Sequence, residues 1–294
     1  PDAEALARAI LGGDDEATRR RAERIAREAA GSPFFVQELA RHAASAPDTG
    51  GVGLSEVVGA RVAALAPDVR ALLELVSAAG KPIGPAVLKQ AAGLPDERER
   101  EAMTLLRAGC LVRARGRGDD ARVEAYHDKI RETVVRGLPE DTLRARHRSL
   151  ALAMELTRGV DPETLAMHFQ GAGEPGRARV YFEQAAQRAE RALAFDRAAS
   201  LYRSALGLAD PADQPDIELR LADALTKAGR GTEAARAFLH AAERVGADRA
   251  LIARRRAVEQ LLRAGHLEHG LDVARVLLPQ VGMTFTRTPR HALV

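Results

Sequence analysis

The sequence predicts a mostly α-helical protein in which a run of helices carrying one small two-stranded element precedes a stack of helical hairpins. Three observations carry this reading. Aromatic residues make up only 3% of the 294 residues and Trp is absent, while Ala, Leu and Arg dominate, the profile of helices that pack through small side chains. Two short alternating segments stand close together near the middle of the chain. Small residues recur at a fixed spacing in its last third. With 46% hydrophobic residues, the chain has enough apolar surface for sizeable cores.

Residues 2 to 11 and 15 to 30 read as helices split by GGDD, where Gly12 and Gly13 end the first and Asp14 caps the second. In GSPFFVQELARHA, Ser32 suits the N-cap. Pro33 suits the first turn, where a missing N–H breaks no helical bond, so helix is expected from Phe34 to about Ala44. The stretch ASAPDTGGVG (44 to 53) is a flexible connection and the first domain boundary, closing a helical segment at 1 to 46. Helical patterns follow at about 54 to 65, 67 to 79, 84 to 92 and 96 to 108. CLVRAR and RVEAYH then read as strands, and the intervening GRGDDA supplies the glycine and aspartates of a hairpin loop. Helices, a two-stranded wing and a closing helix make a winged-helix domain at 54 to 137.

From residue 142 to 294 the pattern becomes a repeat. Ala198, Ala234 and Gly270 are each 36 apart; Tyr202, Phe238 and Ala274 stand four residues later, and Ala205, Ala241 and Leu277 seven later. The helices before them carry Phe182, Ala185, Ala186 and Ala189, then Leu221, Ala222 and Leu225, then Ala257, Val258 and Leu261. The spacing resembles a degenerate tetratricopeptide repeat over roughly 175 to 281, with DPETLAMHFQGAGEPGRA as an extra helix leading in. The period differs from that family's 34, and its helix-ending Pro is absent. The resemblance implies an α-solenoid of tetratricopeptide-like helix pairs whose groove takes protein or peptide partners.

Several function classes fall away. Basic residues exceed acidic ones by only 44 − 41 = 3, and the clusters RARHR (144 to 148) and ARRRA (253 to 257) lie in helical patterns, so nucleic acid is not the expected partner. The single cysteine, Cys110, has no second to pair with, which suits a reducing, cytoplasmic setting better than a catalytic thiol. No apolar run is long enough for a membrane helix, and the first residues lack a signal-peptide core. No phosphate-loop, GxGxxG, GxSxG, HExxH or CxxC pattern occurs, so no catalytic residue is assigned. His266 and His269 in GHLEHG form the one close His pair, and without a third ligand they read as solvated surface rather than a metal site. The chain begins at Pro1 and ends RTPRHALV, which reads as a piece of something longer.

Two separated motifs resemble one family. GSPFFVQELARHA is similar to the GNPFFLEEL-type segment of bacterial signal-transducing ATPases of the STAND class, and YHDKIRETVV to their RHDLIREAVY segment. The order of parts agrees over about residues 1 to 280: the end of an ATPase helical domain, a winged helix, then repeats. Ser32 departs from that family's usual Asn. The resemblance implies that Gly31 and Pro33 lie against adenine, that His127 stands beside the β-phosphate with Asp128 holding the helix start, and that ATP or ADP is held by an ATPase core upstream. The plainer alternatives are an ordinary helix-start turn at Gly31 to Pro33, and a strand-ending His127 followed by a capping Asp128.

The run from 257 to 285 resembles the helical region of large bacterial proteins in which a Ser/Thr protein kinase precedes the ATPase. Only four of the 44 basic residues are Lys, which suits an Arg-rich, high-GC genome. A LuxR-type transcription regulator and a repeat scaffold without nucleotide function are the alternatives.

Overall fold

A computed structural model describes residues 2–13, 15–29, 31–45, 53–118, 121–157 and 159–283. The expected Asp14 cap, most of the connection at 44 to 53, both aspartates of the hairpin loop and the end of the chain from 284 lie outside the described residues. The chain divides into two compact units, Pro1–Leu156 and Thr157–Val294.

The first unit opens with α1 (Asp2–Leu11), α2 (Glu16–Glu28) and α3 (Pro33–Ser45). Asp15 caps α2, its carboxylate accepting the Thr18 N–H at 2.8 Å, and that bond holds the Asp15 acid below its usual range. The described cap is therefore one residue beyond the expected Asp14. Then come α4 (Leu54–Ala63), α5 (Pro67–Ala79), α6 (Pro85–Ala92) and α7 (Asp96–Ala108). α5 agrees with expectation at both ends because Pro67 starts it and Gly80, at φ +68°, ends it.

The two strands are β1 (Val112–Arg115) and β2 (Arg122–Ala125), antiparallel with Val112 opposite Ala125 and Arg115 opposite Arg122. They are shorter than the expected runs. Cys110, at φ +50°, closes the turn after α7 by donating its N–H to Arg107, so its backbone is not extended. Ile83 bridges to Val123 from outside the hairpin, exchanging backbone hydrogen bonds of 2.9 and 2.8 Å. α8 (Asp128–Gly137) and α9 (Glu140–Glu155) complete the unit. Leu72, Leu73, Leu75, Leu88, Leu106, Leu111, Ile130 and Leu150 form its fully buried core, each contributing about 1.5–3 kcal/mol of burial free energy.

The sequence pattern grouped α9 with the repeats, but it packs in the first unit. Glu74 on α5 is buried, and the Arg146 guanidinium of α9 closes on its carboxylate at 2.8 Å. An unpaired carboxylate there would carry an uncompensated desolvation penalty, so the pair fixes where α9 docks.

The second unit is a solenoid of antiparallel helices: α10 (Pro162–Gly171), α11 (Pro175–Arg191), α12 (Phe195–Leu206), α13 (Gln214–Lys227), α14 (Gly231–Ala242), α15 (Ala247–Arg263) and α16 (Leu267–Leu277), then a 3₁₀ turn at Leu278–Val281. The periodic small residues do what their spacing predicts: Ala198, Ala234, Ala205 and Ala241 have no exposed surface, and Tyr202 and Phe238 fill the space between helices. Ala274 and Val258, expected in the same set, are half-buried. α11, α13 and α15 each end in the same turn, in which one backbone N–H reaches three residues back and the next reaches five. The left-handed residue of that turn is Gly229 or Gly265 in two cases and Leu193, at φ +57°, in the third.

Charged pairs stitch neighbouring helices. Glu183 meets Arg220 at 2.7 Å, Glu190 meets Lys227 at 2.9 Å, and Asp223 meets Arg256, joining α11 to α13 and α13 to α15. Glu163 with Arg197, Asp196 with Arg230 and Thr232 with His266 are each 34 residues apart, the contact spacing of one hairpin on the next. Tyr202 donates its hydroxyl to Glu190 at 3.0 Å, and burial together with that carboxylate pushes the phenol's pKa up. No helix among the described residues is long and apolar enough to cross a membrane.

Candidate functional site

The two motifs meet within the first unit. Gly31 adopts φ +78°, a conformation that favours glycine, and its missing side chain would face open space. Ser32 donates its N–H to the Ala29 carbonyl at 2.9 Å and accepts the Val36 N–H at 3.0 Å, so it occupies the N-cap position of α3. Gly31 and Pro33 are exposed. They form a turn on the surface of the unit. Directly after them, Phe35, Val36, Leu39 and Ala40 are buried and anchor the turn to the unit.

His127 lies against this anchor. Its ring meets Phe35 edge-on with centroids 4.7 Å apart, and the neighbouring Tyr126 meets Phe34 at 5.6 Å. Aromatic pairs in such geometry are worth about 0.5–1.5 kcal/mol beyond their burial. Arg61 of α4 braces the same junction: it donates to the Gly109 carbonyl at 2.7 Å, pairs with Glu38 of α3 at 3.0 Å, and lies 5.6 Å from the Phe34 ring centroid.

One expectation is corrected. His127, not Asp128, caps α8: its backbone is extended (φ −148°, ψ 147°) and its Nδ1 accepts the Lys129 N–H at 3.1 Å. Asp128 already has helical backbone geometry as the first residue of α8, and its carboxylate is turned outward, 88% exposed and 3.8 Å from Arg131. The sequence could not separate the two because either side chain has an acceptor suited to capping. The bond fixes the tautomer. A lone pair engaged at Nδ1 leaves the proton of the neutral ring on Nε2, which makes Nε2 a donor.

Beside His127 lies a cleft of about 200 Å³ lined by the turn after α5, the hairpin and the start of α8. Its charged walls are Lys81, Arg113, Glu124, Asp128 and Arg131. Glu124 is held by Arg113 at 2.7 Å and Arg115 at 2.9 Å. Arg61, Lys81 and Arg131 were not singled out from the sequence. The rings could have been, because a chain with seven Phe and three Tyr places Phe34, Phe35 and Tyr126 within the two motifs themselves. His266, from the His pair, is exposed and 3.0 Å from the Thr232 hydroxyl, and among the described residues no group of three His, Cys, Asp or Glu side chains gathers in metal-binding geometry.

No family model and no curated protein matches the chain. Among solved structures, the crystal structure of a signal transduction ATPase with numerous domains (STAND) carrying a tetratricopeptide repeat sensor, from Pyrococcus horikoshii, is similar at 14% identity with a TM-score of 0.37. The match covers 95% of this chain and 46% of that one, so the chain spans about half the length of the protein it matches.

Proposed function

We propose that this chain is the regulatory segment of a nucleotide-switched signalling protein of the STAND ATPase type, with α4–α8 and the hairpin acting as a winged helix and α10–α16 as tetratricopeptide-like repeats for protein partners. The observation that carries the reading is the convergence of the two motifs. Residues 31 to 35 and 126 to 128 are far apart in sequence, yet their rings touch at Phe34 and Tyr126 and at Phe35 and His127.

The mechanism is a latch. ADP held by an ATPase core upstream lies with its adenine on Gly31 and Pro33 and receives a hydrogen bond from His127 Nε2 on its β-phosphate, with α8's N-terminus favouring the negative charge. Asp128 begins α8 beside the phosphate, with its own carboxylate 88% exposed to solvent. Exchange for ATP, or a partner on the repeats, shifts the population toward an open form. A Ser/Thr kinase fused to the ATPase is the output this reading favours. Nucleic acid does not fit α7, the helix before the hairpin, because Asp96, Glu97, Glu99 and Glu101 outnumber its three arginines.

The test uses His127→Ser in the intact protein. Serine keeps a cap for α8 but is too short to reach phosphate. The expected result is a slightly lowered melting temperature, from the lost ring contact with Phe35, together with faster ADP release and raised basal output. An unaltered ADP off-rate in that variant removes His127 from the mechanism. The reading also expects a GxxxxGK[ST] loop encoded in frame upstream of Pro1.

A further inference from the structure

We propose that Lys81 is a second anion-binding residue of the His127 cleft, taking an oxygen of a phosphate or diphosphate group. The inference extends the nucleotide reading of His127 to a residue that neither motif contains.

The charges lining the cleft do not balance. Of its three cations, Arg113 is engaged by Glu124 at 2.7 Å, and Arg131 stands 3.8 Å from Asp128. Lys81 makes no ion pair among the described residues. Glu124 is shared with Arg115, a further cation from the hairpin, and Asp128, which lines the cleft, is 88% exposed and stands by Arg131, so neither carboxylate pairs with Lys81. The cleft is therefore lined by one ammonium with no ion pair among the described residues, one loosely held guanidinium and the imidazole of His127. Three donors around a space of about 200 Å³ suit an anion with several oxygens better than a single carboxylate.

The backbone on either side of Lys81 is fixed. Gly80 turns the chain at φ +68° as α5 ends, and Ile83 is tied to Val123 by two backbone bonds. Pro82 between them removes further freedom. The long side chain thus starts from a defined point at the wall of the cleft. The competing role for Lys81 is to complement the negative C-terminal end of α5, a role independent of any ligand.

The experiment titrates inorganic pyrophosphate, ADP and adenosine into the 294-residue chain by calorimetry at two salt concentrations, with Lys81→Ala, Lys81→Arg and His127→Ser variants. Saturable pyrophosphate binding is expected, weakened about tenfold by Lys81→Ala, the size of one charge-assisted hydrogen bond, and restored by Lys81→Arg. Binding should also depend less on salt in Lys81→Ala. Tighter binding of ADP than of pyrophosphate identifies the source as a nucleotide, and equal binding identifies the phosphate groups alone. Binding weakened by His127→Ser but unchanged by Lys81→Ala overturns the role of Lys81 and keeps that of His127. The opposite pattern keeps Lys81 and removes His127 from the cleft, and absence of saturable binding overturns the role of Lys81, while that of His127 is decided by the ADP off-rate of the intact protein.

Discussion

In the first unit the side-chain contacts that matter most converge on one junction, whereas in the second they recur along the stack. Phe35, His127, Tyr126, Phe34 and Arg61 tie α3, α4 and the start of α8 together within a few ångströms. In the solenoid, Glu183 with Arg220, Glu190 with Lys227 and Asp223 with Arg256 repeat one interaction on successive helices. Partly exposed pairs of this kind are worth about 0–1 kcal/mol each, so the stack tolerates the loss of any one. A junction built from unlike parts does not. On the proposed reading, the first unit is the switch and the second the platform.

The largest way to break that comparison is Phe35→Ala. Removing a ring with 1% of its surface exposed should cost about 3–5 kcal/mol in urea unfolding. It should also free the His127 ring, moving its imidazole resonances, while Phe35→Tyr restores them. Lost stability with unmoved His127 resonances would reduce the junction to ordinary core. A smaller effect separates the three turns of the stack. Leu193 is 73% exposed and left-handed, where the equivalent residues are Gly229 and Gly265. Leu193→Gly should gain about 0.5 kcal/mol net, relief of left-handed strain less the freedom glycine adds to the unfolded chain. Gly229→Leu should lose about 1 kcal/mol. Equal melting temperatures across both variants would mean that the turns yield locally.

The smallest effect is a pH slope in the first unit. Burial lowers the pKa of His147 on α9 below its ordinary 6.5. A depressed folded-state pKa means that the unfolded chain binds the proton first as pH falls. Its contribution is therefore complete above about pH 6.5 and is lost progressively toward the lower folded value. His147→Gln should flatten the urea midpoint over that window, and an unchanged slope would place the proton uptake elsewhere.

Much of the fold was legible because punctuation is local. Pro67 and Gly80 bound α5, and the 36-residue recurrence of Ala198, Ala234 and Gly270 placed the helical hairpins. What was not legible depends on neighbours. The caps of α2 and α8 each lay one residue from the expected position, because the capping role is decided by backbone geometry at a single residue, and adjacent Asp and His side chains both qualify. α9 has an apolar face in either setting, and its packing on α5 and α6 with the Glu74 pairing shows which unit receives it. Of the site, Gly31, Pro33, His127 and Asp128 were visible in their motifs. Lys81 and Arg61 were not, since nothing in their own surroundings announces the cleft or the junction.

The cap of α8 has a genetic consequence. The imidazole holds the helix with one nitrogen and, in the proposed latch, leaves the other for phosphate, so folding and the proposed switch share a codon but not an atom. Single-base changes at a histidine codon reach Asn and Asp, both good caps. Alleles of that kind would accumulate as full-length, folded protein, and a screen for altered output would find them where a screen for lost protein would not.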